Sequence, residues 1–365
     1  MSKILFDHQI FSLQVYGGIS RYFANIQQAL EKEDDCSGRI SVLYSKNYYI
    51  KNYQAPFQNS LGERLFSSQE KEYKWNKKYS KYLIGKNNFD VLHPTYYEPY
   101  FLKKLKKPYI ITVHDMIHEL MPDSFSSNDI TSVQKKEVIA NAAKIITISE
   151  TTKNDLKNIF DVEDHRIEVI YHGYQQKEQK FHSSQDSLQK DKYLLFVGAR
   201  SGYKNFNRFV NAIAAFLKHK GNINLICAGG GTFQKEETKL FKKLEIEKYV
   251  TQLSASDQQL DALYANALAF IFPSIYEGFG LPILEAFQNR CPVALSSSAC
   301  FKEIADDAAE YFDPMDEHSI LTSVMKIIES QENTSSLVEK GIKRLENFTP
   351  QACFDKTIAL YKKIS

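Results

Sequence analysis

The sequence has 365 residues, of which 43% are apolar and 25% charged, and its formal net charge is +2. This length exceeds what one hydrophobic core usually organises, so two domains are expected, and the composition excludes collagen-like, coiled-coil and low-complexity classes. A charge so close to neutral gives no reason to expect nucleic acid as a partner.

Short β-rich apolar runs alternate with longer helical patterns along the first half of the chain, which is the pattern of βαβ units and a parallel sheet. Strands are predicted at 3–6, 39–44, 91–93, 109–113, 145–148 and 167–170. A polar, aperiodic segment at 176–191 then predicts a linker. The alternation resumes after it, with strands predicted at 193–197, 223–227, 267–272, 292–295 and 310–312.

These patterns predict an α/β protein with two doubly wound, Rossmann-like domains facing each other across a cleft. The boundaries are 1–175 for the N-terminal domain, 176–191 for the linker and 192–348 for the C-terminal domain, with a terminal helix at 349–365. In open α/β sheets, ligands bind at the carboxyl ends of the strands. Candidate site residues are therefore sought directly after each predicted strand.

In the N-terminal half, Gly17 and Gly18 precede a predicted helix, where backbone N–H groups could approach an anion. A flexible turn explains the two glycines equally well. His114 directly follows a predicted strand, a position from which its side chain projects towards a ligand. The simpler alternative is an imidazole that bonds its neighbour Asp115.

In the C-terminal half, Arg200 and Lys204 lie in a glycine-containing loop between a strand and a helix. Two cations beside a helix N-terminus suit a diphosphate, because Arg offers a planar fork and Lys a point charge. The alternative is a solvated basic loop.

The stretch "IFPSIYEGFGLPILEAF" at 271–287 predicts a strand, an elbow and a helix that contain two carboxylates. Gly278 and Gly280 permit a tight backbone around Glu277, and Pro282 suits the first turn of a helix. Glu285 lies on a largely apolar helix and therefore needs donors, which the two hydroxyls of a ribose would supply. A Glu that stabilises the helix dipole would explain one acid but not the glycines.

Ten lysines and only three acids fall between Lys71 and Lys107. Tyrosines are interleaved with them, at Tyr73, Tyr79, Tyr82, Tyr96, Tyr97 and Tyr100. The cluster is either a solvated helical face or a surface that docks on anionic lipid, to which each nearby Lys contributes about 1 kcal/mol.

The five cysteines contain no C-x-x-C pair, so neither a zinc site nor a disulfide framework is predicted. The N-terminus lacks the layout of a signal peptide, and no run of 18 apolar residues occurs. We therefore expect a cytoplasmic protein, with at most a peripheral contact at the inner face of the membrane.

The chain resembles the retaining family-four glycosyltransferases, which have the GT-B fold. The resemblance is carried by the E-x7-E element "EGFGLPILE" after "FPS", and in order by "YGGISRY", "TVHD", "AAKIITISETTKNDL", "IEVIYHG" and "FVGARSGYKN". It covers essentially the whole chain. It implies that the last helix returns to pack on the N-terminal domain.

The resemblance also implies roles for the candidate residues. Arg200 and Lys204 would grip the donor diphosphate, Glu285 the ribose, and Glu277 the donor sugar, with the backbone of Gly278, Phe279, Gly280 and Leu281 lining sugar and phosphate. Gly17 and Gly18 would lie near the phosphates and the acceptor, and His114 would face the transferred sugar. The cations are spaced by four residues here, whereas many members of the family space them by five.

The function so implied is transfer of a hexose such as mannose, with retention, from a nucleotide-diphosphate sugar to a glycan or polyprenyl-linked glycan in O-antigen or capsule synthesis. A GDP-linked donor is favoured, and no metal or other cofactor is expected, since no D-x-D follows a predicted strand. Two alternatives stay open. One is a Rossmann enzyme that modifies nucleotide sugars, although "YGGISRY" is not a G-x-G-x-x-G fingerprint. The other is a non-catalytic relative that binds sugar nucleotides.

Overall fold

The structure, a computed structural model, describes residues 1–174 and 192–365. The predicted linker at 176–191 lies outside the described residues. The chain divides into two compact units. The N-terminal unit comprises Met1–Leu120, Ser126–Gly173 and Pro350–Ser365, and the C-terminal unit comprises Met121–Phe125 and Tyr174–Thr349.

The strands of the described residues are all paired in parallel, which the alternation of strands and helices predicts. They are β1 (Ser2–Phe6), β2 (Cys36–Ile40), β3 (Val91–His93), β4 (Ile110–Val113), β5 (Lys144–Thr147), β6 (Ile167–Val169), β7 (Lys192–Val197), β8 (Ile223–Ala228), β9 (Val250–Leu253), β10 (Ala269–Phe272), β11 (Val293–Ser296) and β12 (Glu310–Phe312).

The helices fill the intervals between the strands. They are α1 (Gln9–Leu13), α2 (Gly18–Leu30), α3 (Ser60–Leu65), α4 (Gln69–Lys86), α5 (Ile117–Leu120), α6 (Thr131–Asn141), α7 (Glu150–Phe160), α8 (Phe206–Lys220), α9 (Lys235–Leu244), α10 (Asp257–Asn266), α11 (Leu281–Gln288), α12 (Ala299–Ala305), α13 (Glu317–Glu329), α14 (Gln331–Arg344) and α15 (Pro350–Ile364). No helix in the described part of the chain is long and apolar enough to cross a membrane.

The sheet of the N-terminal unit has two three-stranded parts, β2-β1-β3 and β4-β5-β6. A parallel bridge between Leu92 and Tyr109 joins β3 to the start of β4. Strand β4 is buried along its whole length and β5 at every residue after Lys144, as expected for strands covered by helices on both faces.

The sheet of the C-terminal unit has the order β9-β8-β7-β10-β11-β12. Counted from its own first strand this is 3-2-1-4-5-6, the doubly wound order of dinucleotide-binding domains. The predicted α/β, Rossmann-like character is therefore confirmed for each unit taken by itself.

The terminal helix α15 belongs to the N-terminal unit, as the resemblance implies. Tyr361 on this helix is fully buried, and its hydroxyl is 2.6 Å from Nδ1 of His93 at the end of β3. This contact fastens the last helix to the centre of the first sheet.

Two strand predictions in the sequence differ from the structure. The second strand is predicted at 39–44 but lies at Cys36–Ile40, where Ser2 pairs with Cys36 and Phe6 with Ile40. The apolar residues Val42 and Leu43 attracted the prediction, yet they follow the strand. Strand β9 was not predicted, because "VTQL" is too short and too polar to stand out.

Candidate active site

The order of strands in the C-terminal unit reverses between β7 and β10, which pair side by side. Loops after two such strands turn to opposite faces of the sheet and leave a crevice at the carboxyl ends. The loop after β7 contains Arg200 and Lys204, and the loop after β10 contains Glu277. The fold therefore places the two loops that contain these residues side by side.

The elbow after β10 requires glycine at its end. Gly280 has φ +96°, and a Cβ there would come within 3.0 Å of Ile283 Cδ1 and 3.1 Å of Phe301 Cε1. The ring of Phe279 is buried against Phe348, and its carbonyl accepts from Cys300 Sγ at 3.4 Å. Phe279 therefore contributes only backbone to any site, and the elbow leads directly into α11.

Lys204 and Glu277 form an ion pair across the switch point. Lys204 Nζ donates to Glu277 Oε1 at 2.6 Å, and both side chains are largely buried. The ammonium also lies 5.5 Å from the ring centre of Phe272. The N–H of Ile275 donates to the carbonyl of Tyr203 at 2.8 Å, so the two loops are joined through their backbones as well. A cation is thus held at the carboxyl ends of β7 and β10.

Arg200 has partners that the sequence did not predict. Its Nε donates to Glu237 Oε1 at 2.7 Å, and its Nη atoms donate to the carbonyls of Gly229 at 2.9 Å and Gly231 at 2.8 Å. The side chain is 2% exposed, and the guanidinium carbon lies 4.9 Å from the ring centre of Phe233. Arg200 is therefore buried and bonded within its own unit, and its contact with a diphosphate stays a prediction.

Glu285 lies one turn into α11 and meets a donor from α10. Tyr264 OH donates to Glu285 Oε2 at 3.3 Å. Burial raises the pKa of the Tyr264 hydroxyl well above its usual value, and the nearby Glu285 carboxylate adds to the shift, so the phenol stays a neutral donor. Glu285 as a whole residue is partly buried.

Gly17 and Gly18 lie in the N-terminal unit, at the start of α2 as predicted. Gly17 has extended backbone with φ 172°, and Gln14 packs over it. Gln14 Oε1 accepts from the N–H of Ser20 at 3.3 Å, and no acid occupies the first turn of α2. One N–H at this helix end is therefore already bonded within the protein.

His114 follows β4 and is 6% exposed. Its ring stacks on His172 at 5.8 Å between centroids, and Tyr22 meets it edge-on at 5.4 Å. Within the described residues its Nε2 has no hydrogen-bond partner. Burial lowers the pKa of His114 well below its usual value, and the neighbouring His172 lowers it further, so the imidazole is neutral. Asp115 accepts from the backbone N–H of Ile117 at 3.0 Å, and no hydrogen bond joins its carboxylate to the His114 imidazole in the described part of the chain.

Several residues that build this site were not predicted from the sequence. Glu237 holds Arg200, while Asn205 Nδ2 donates to the carbonyls of Pro273 at 3.2 Å and Pro314 at 2.7 Å. Three consecutive glycines before Glu237, at 229–231, were a visible signal of an unusual loop, and all have positive φ. Nothing in the sequence marked Asn205, whose partners are about 70 and 110 residues away.

Comparison with known proteins identifies the family. The family model described as "Glycosyl transferases group 1" matches residues 177–344, and the one described as "Glycosyltransferase Family 4" matches residues 16–177. The chain belongs to the GT-B family-4 glycosyltransferases. Together the two matches span residues 16–344 and include every motif on which the resemblance rests.

Two curated relatives of this chain are O-antigen mannosyltransferases. The O-antigen chain mannosyltransferase RfbU of Salmonella typhimurium is 31% identical over 254 residues, covering 67% of this chain and 65% of the relative. The O-antigen chain mannosyltransferase B of Escherichia coli is 25% identical over 290 residues, covering 74% of this chain and 73% of the relative. The chain thus spans somewhat less than two thirds of the first relative's length.

A solved structure shares the fold. The structure of Anabaena HepE in complex with UDP and glucose superimposes with a TM-score of 0.76 at 15% identity, covering 100% of this chain and 99% of that one. At this identity the likeness concerns the fold alone. The family's GT-B architecture is therefore that of the present chain.

Proposed function

We propose that the protein is a retaining glycosyltransferase that moves a hexose, with mannose expected, from a GDP-linked donor to a glycan or polyprenyl-linked glycan in O-antigen or capsule synthesis. The names of the two O-antigen mannosyltransferase relatives support the sugar and the pathway class. The observation that carries the proposal is the Lys204–Glu277 pair at the switch point, next to the glycine elbow that opens α11.

The leaving group in this reaction is a nucleoside diphosphate, so the main catalytic task is to neutralise its developing negative charge. Lys204 supplies a cation, and the N-terminus of α11 supplies backbone N–H groups and the positive end of a helix dipole. These groups perform the task without a metal ion. As the C–O bond to the diphosphate breaks, the acceptor oxygen bonds the anomeric carbon on the same face, and its proton passes to the leaving phosphate.

The two carboxylates of the elbow have different partners in this proposal. Glu285 accepts hydrogen bonds from the ribose hydroxyls, and Tyr264 holds its other side. Glu277 orients Lys204 and accepts from a hydroxyl of the transferred sugar. The backbone of Gly278, Phe279, Gly280 and Leu281 lies between the two acids and lines the diphosphate.

The N-terminal unit contributes His114 and the glycines at the start of α2. Because His114 is neutral, it can donate one hydrogen bond to a sugar hydroxyl without adding a charge near an oxocarbenium-like transition state. The N–H groups of Gly18 and its neighbours lie at the start of the α2 helix dipole, which suits a phosphate or an acceptor oxygen. His114→Ala is expected to lower kcat, whereas His114→Gln, which keeps a donor, retains more activity.

The decisive experiment is an assay of the purified protein against UDP-, GDP-, dTDP- and ADP-sugars, with the anomeric configuration of the product read by NMR. We expect turnover with GDP-mannose, retention at the anomeric carbon and no loss of rate in EDTA. Lys204→Ala should lower kcat by about 10²–10³-fold, as loss of a charge-stabilising group does. Lys218→Ala, in an exposed pair with Glu245, is the matched control with unchanged rate. Near-normal turnover of the Lys204 variant would refute the role of this cation.

The protein is also proposed to dock on the anionic inner face of the cytoplasmic membrane through α4. Lys71, Trp75, Lys78, Tyr82 and Lys86 are all exposed and repeat every three to four residues, so they share one face of the helix. Trp75 is 50% and Tyr82 56% exposed, and Lys78 and Lys86 lie over their rings. Exposed aromatic rings flanked by lysines suit a lipid interface. Tyr97, among the other interleaved tyrosines, is buried and does not contribute.

Co-sedimentation with vesicles tests this docking. Binding to vesicles with 30% phosphatidylglycerol should exceed binding to pure phosphatidylcholine, at roughly 1 kcal/mol per lysine at the surface. Lys78→Glu/Lys86→Glu should abolish the difference. Lys242→Glu/Lys243→Glu makes the same charge change on exposed residues of α9 and should leave binding intact. Equal binding to both vesicle types would identify the α4 face as merely solvated.

A further inference from the structure

The loop after β7 is held at both of its ends by buried side chains. We call residues 198–205 the Lys204 loop. At its start, the guanidinium of Arg200 bonds Glu237 and the carbonyls of Gly229 and Gly231. At its end, Asn205 bonds two carbonyls with its side chain. Lys204 lies between these two attachments.

In the first attachment, most N–H groups of Arg200 donate hydrogen bonds. Nε donates to Glu237 Oε1 at 2.7 Å, Nη1 to the carbonyl of Gly229, and Nη2 to those of Gly231 at 2.8 Å and Thr232 at 3.1 Å. A guanidinium has five N–H donors, and most of them are directed at these four groups. The Glu237 carboxylate also offsets the positive charge of Arg200. Lys204 is also paired with a carboxylate, but its side chain is 16% exposed, whereas that of Arg200 is 2% exposed. To use Arg200, a diphosphate would have to displace the bonds to the three carbonyls as well as a buried ion pair.

Glu237 is itself fixed in place. Its Oε2 accepts from the N–H of Gln234 at 2.6 Å, in the capping box at the start of α9. The carboxylate thus connects the first turn of α9 with Arg200 and, through it, with the Lys204 loop. A Cβ on Gly230 would come within 2.7 Å of Arg200 Nη1, so the glycine loop after β8 lies directly on the guanidinium.

We propose that Arg200 and Glu237 are positioning residues that set the place of Lys204, and that Arg200 is not a ligand of the donor diphosphate. Asn205 has the same task at the other end of the Lys204 loop. This inference rests on the proposed function, because it takes Lys204 to be the cation that stabilises the leaving diphosphate. It accounts for a buried arginine in a loop where a second phosphate-binding cation was expected.

A double-mutant cycle between Glu237 and Lys204 tests the proposal. The variants are Glu237→Gln, Lys204→Ala and their combination, each measured for kcat and KM of the donor and for the Kd of GDP by calorimetry. Thermal unfolding of each variant is recorded so that rates refer to folded protein. Glu329→Gln, which removes the acid of the exposed Lys220–Glu329 pair in the same unit, is the matched control and should behave as wild type.

If Arg200 acts by placing Lys204, Glu237→Gln lowers kcat/KM by about tenfold, and adding it to Lys204→Ala causes no further loss, since both changes act on one interaction. If Arg200 instead binds the diphosphate directly, Glu237→Gln frees the guanidinium for GDP and lowers the Kd of GDP. That result would overturn the proposal. If the pair only stabilises the fold, the losses in the cycle are additive and follow the unfolding temperature, which also overturns the proposal.

Two further variants keep the test decisive if Glu237→Gln folds poorly. Asn205→Gly preserves a backbone with φ 58° and removes the bonds to Pro273 and Pro314, so it should reproduce the non-additive loss with Lys204→Ala. Arg200→Lys keeps the charge but not the fork, and it should lose activity as Glu237→Gln does. Full activity of Arg200→Lys would contradict positioning. A wild-type protein that binds GDP but transfers no sugar would refute the proposed function. The double-mutant cycle, measured as the Kd of GDP, would still test whether Arg200 and Glu237 position Lys204.

Discussion

The buried ion pair between Lys135 and Glu119 in the N-terminal unit provides a strong test of the structure. The side chain of Lys135 is 0% exposed and that of Glu119 is 4% exposed, with Nζ and Oε2 2.8 Å apart. The same Nζ donates to the carbonyl of Asp115 at 3.0 Å and lies 5.2 Å from the ring centre of Tyr97. Helix α6 thereby holds the chain directly after His114.

Removing one partner leaves a buried charge without compensation. Lys135→Met should therefore cost about 3–5 kcal/mol, because Glu119 must stay desolvated or take up a proton. For a unit of this size each kcal/mol lowers the melting temperature by roughly 2–4 °C, so a fall of about 6–20 °C is expected. Lys135→Met/Glu119→Leu removes both charges and should recover most of the loss, since apolar replacement of a whole buried pair is close to neutral.

Urea denaturation of the three proteins, followed by fluorescence, measures these differences. Trp75 is the only tryptophan of the chain and belongs to the same unit, so it reports on that unit. Lys107→Met, in the exposed pair with Asp90, is the control and should cost no more than about 1 kcal/mol. A Lys135→Met cost as small as that of the control, or a double variant no more stable than the single one, would refute the reasoning.

Three further predictions follow from single sites. Burial lowers the pKa of His93 and of His172 to about 3, so between pH 6.5 and 3 the unfolded chain binds more protons than the folded one and stability falls as pH falls. His8, whose pKa burial also lowers to about 3, and His114 add to this loss, whereas Glu72, whose pKa burial raises to about 7, and Asp7, whose pKa burial also raises, oppose it. Urea titrations should therefore show lower stability at pH 4.5 than at pH 7.5; constant stability over that range would contradict the buried neutral histidines. Gly280→Ala should destabilise by about 1–2 kcal/mol in thermal unfolding because φ is +96°, and a stability equal to wild type would mean the elbow has another conformation. Glu285→Gln should weaken GDP binding in calorimetry by roughly tenfold or more, as loss of a charged hydrogen-bond acceptor does, whereas unchanged affinity would remove Glu285 from the ribose.

The class and the order of the elements are predictable from the sequence. Alternating apolar runs and helical patterns predict parallel strands covered by helices, because both signals are local in the chain. The elbow at 273–280 is also predictable, because a strand, two glycines, a proline and a helix follow one another directly. Once these elements are predicted, Lys204 and Glu277 fall in loops after strands, and Glu285 falls in the helix that follows.

The contacts of those side chains depend on how distant segments pack together. Arg200 and Lys204 are both cations of one loop, and nothing local distinguishes them, yet one meets Glu237 and the other Glu277. These partners lie 37 and 73 residues further along the chain, and only the order of strands in the sheet brings them near. The register of β2 and the burial of Lys135 also depend on packing between distant segments. The local pattern of residues contains no information about that packing.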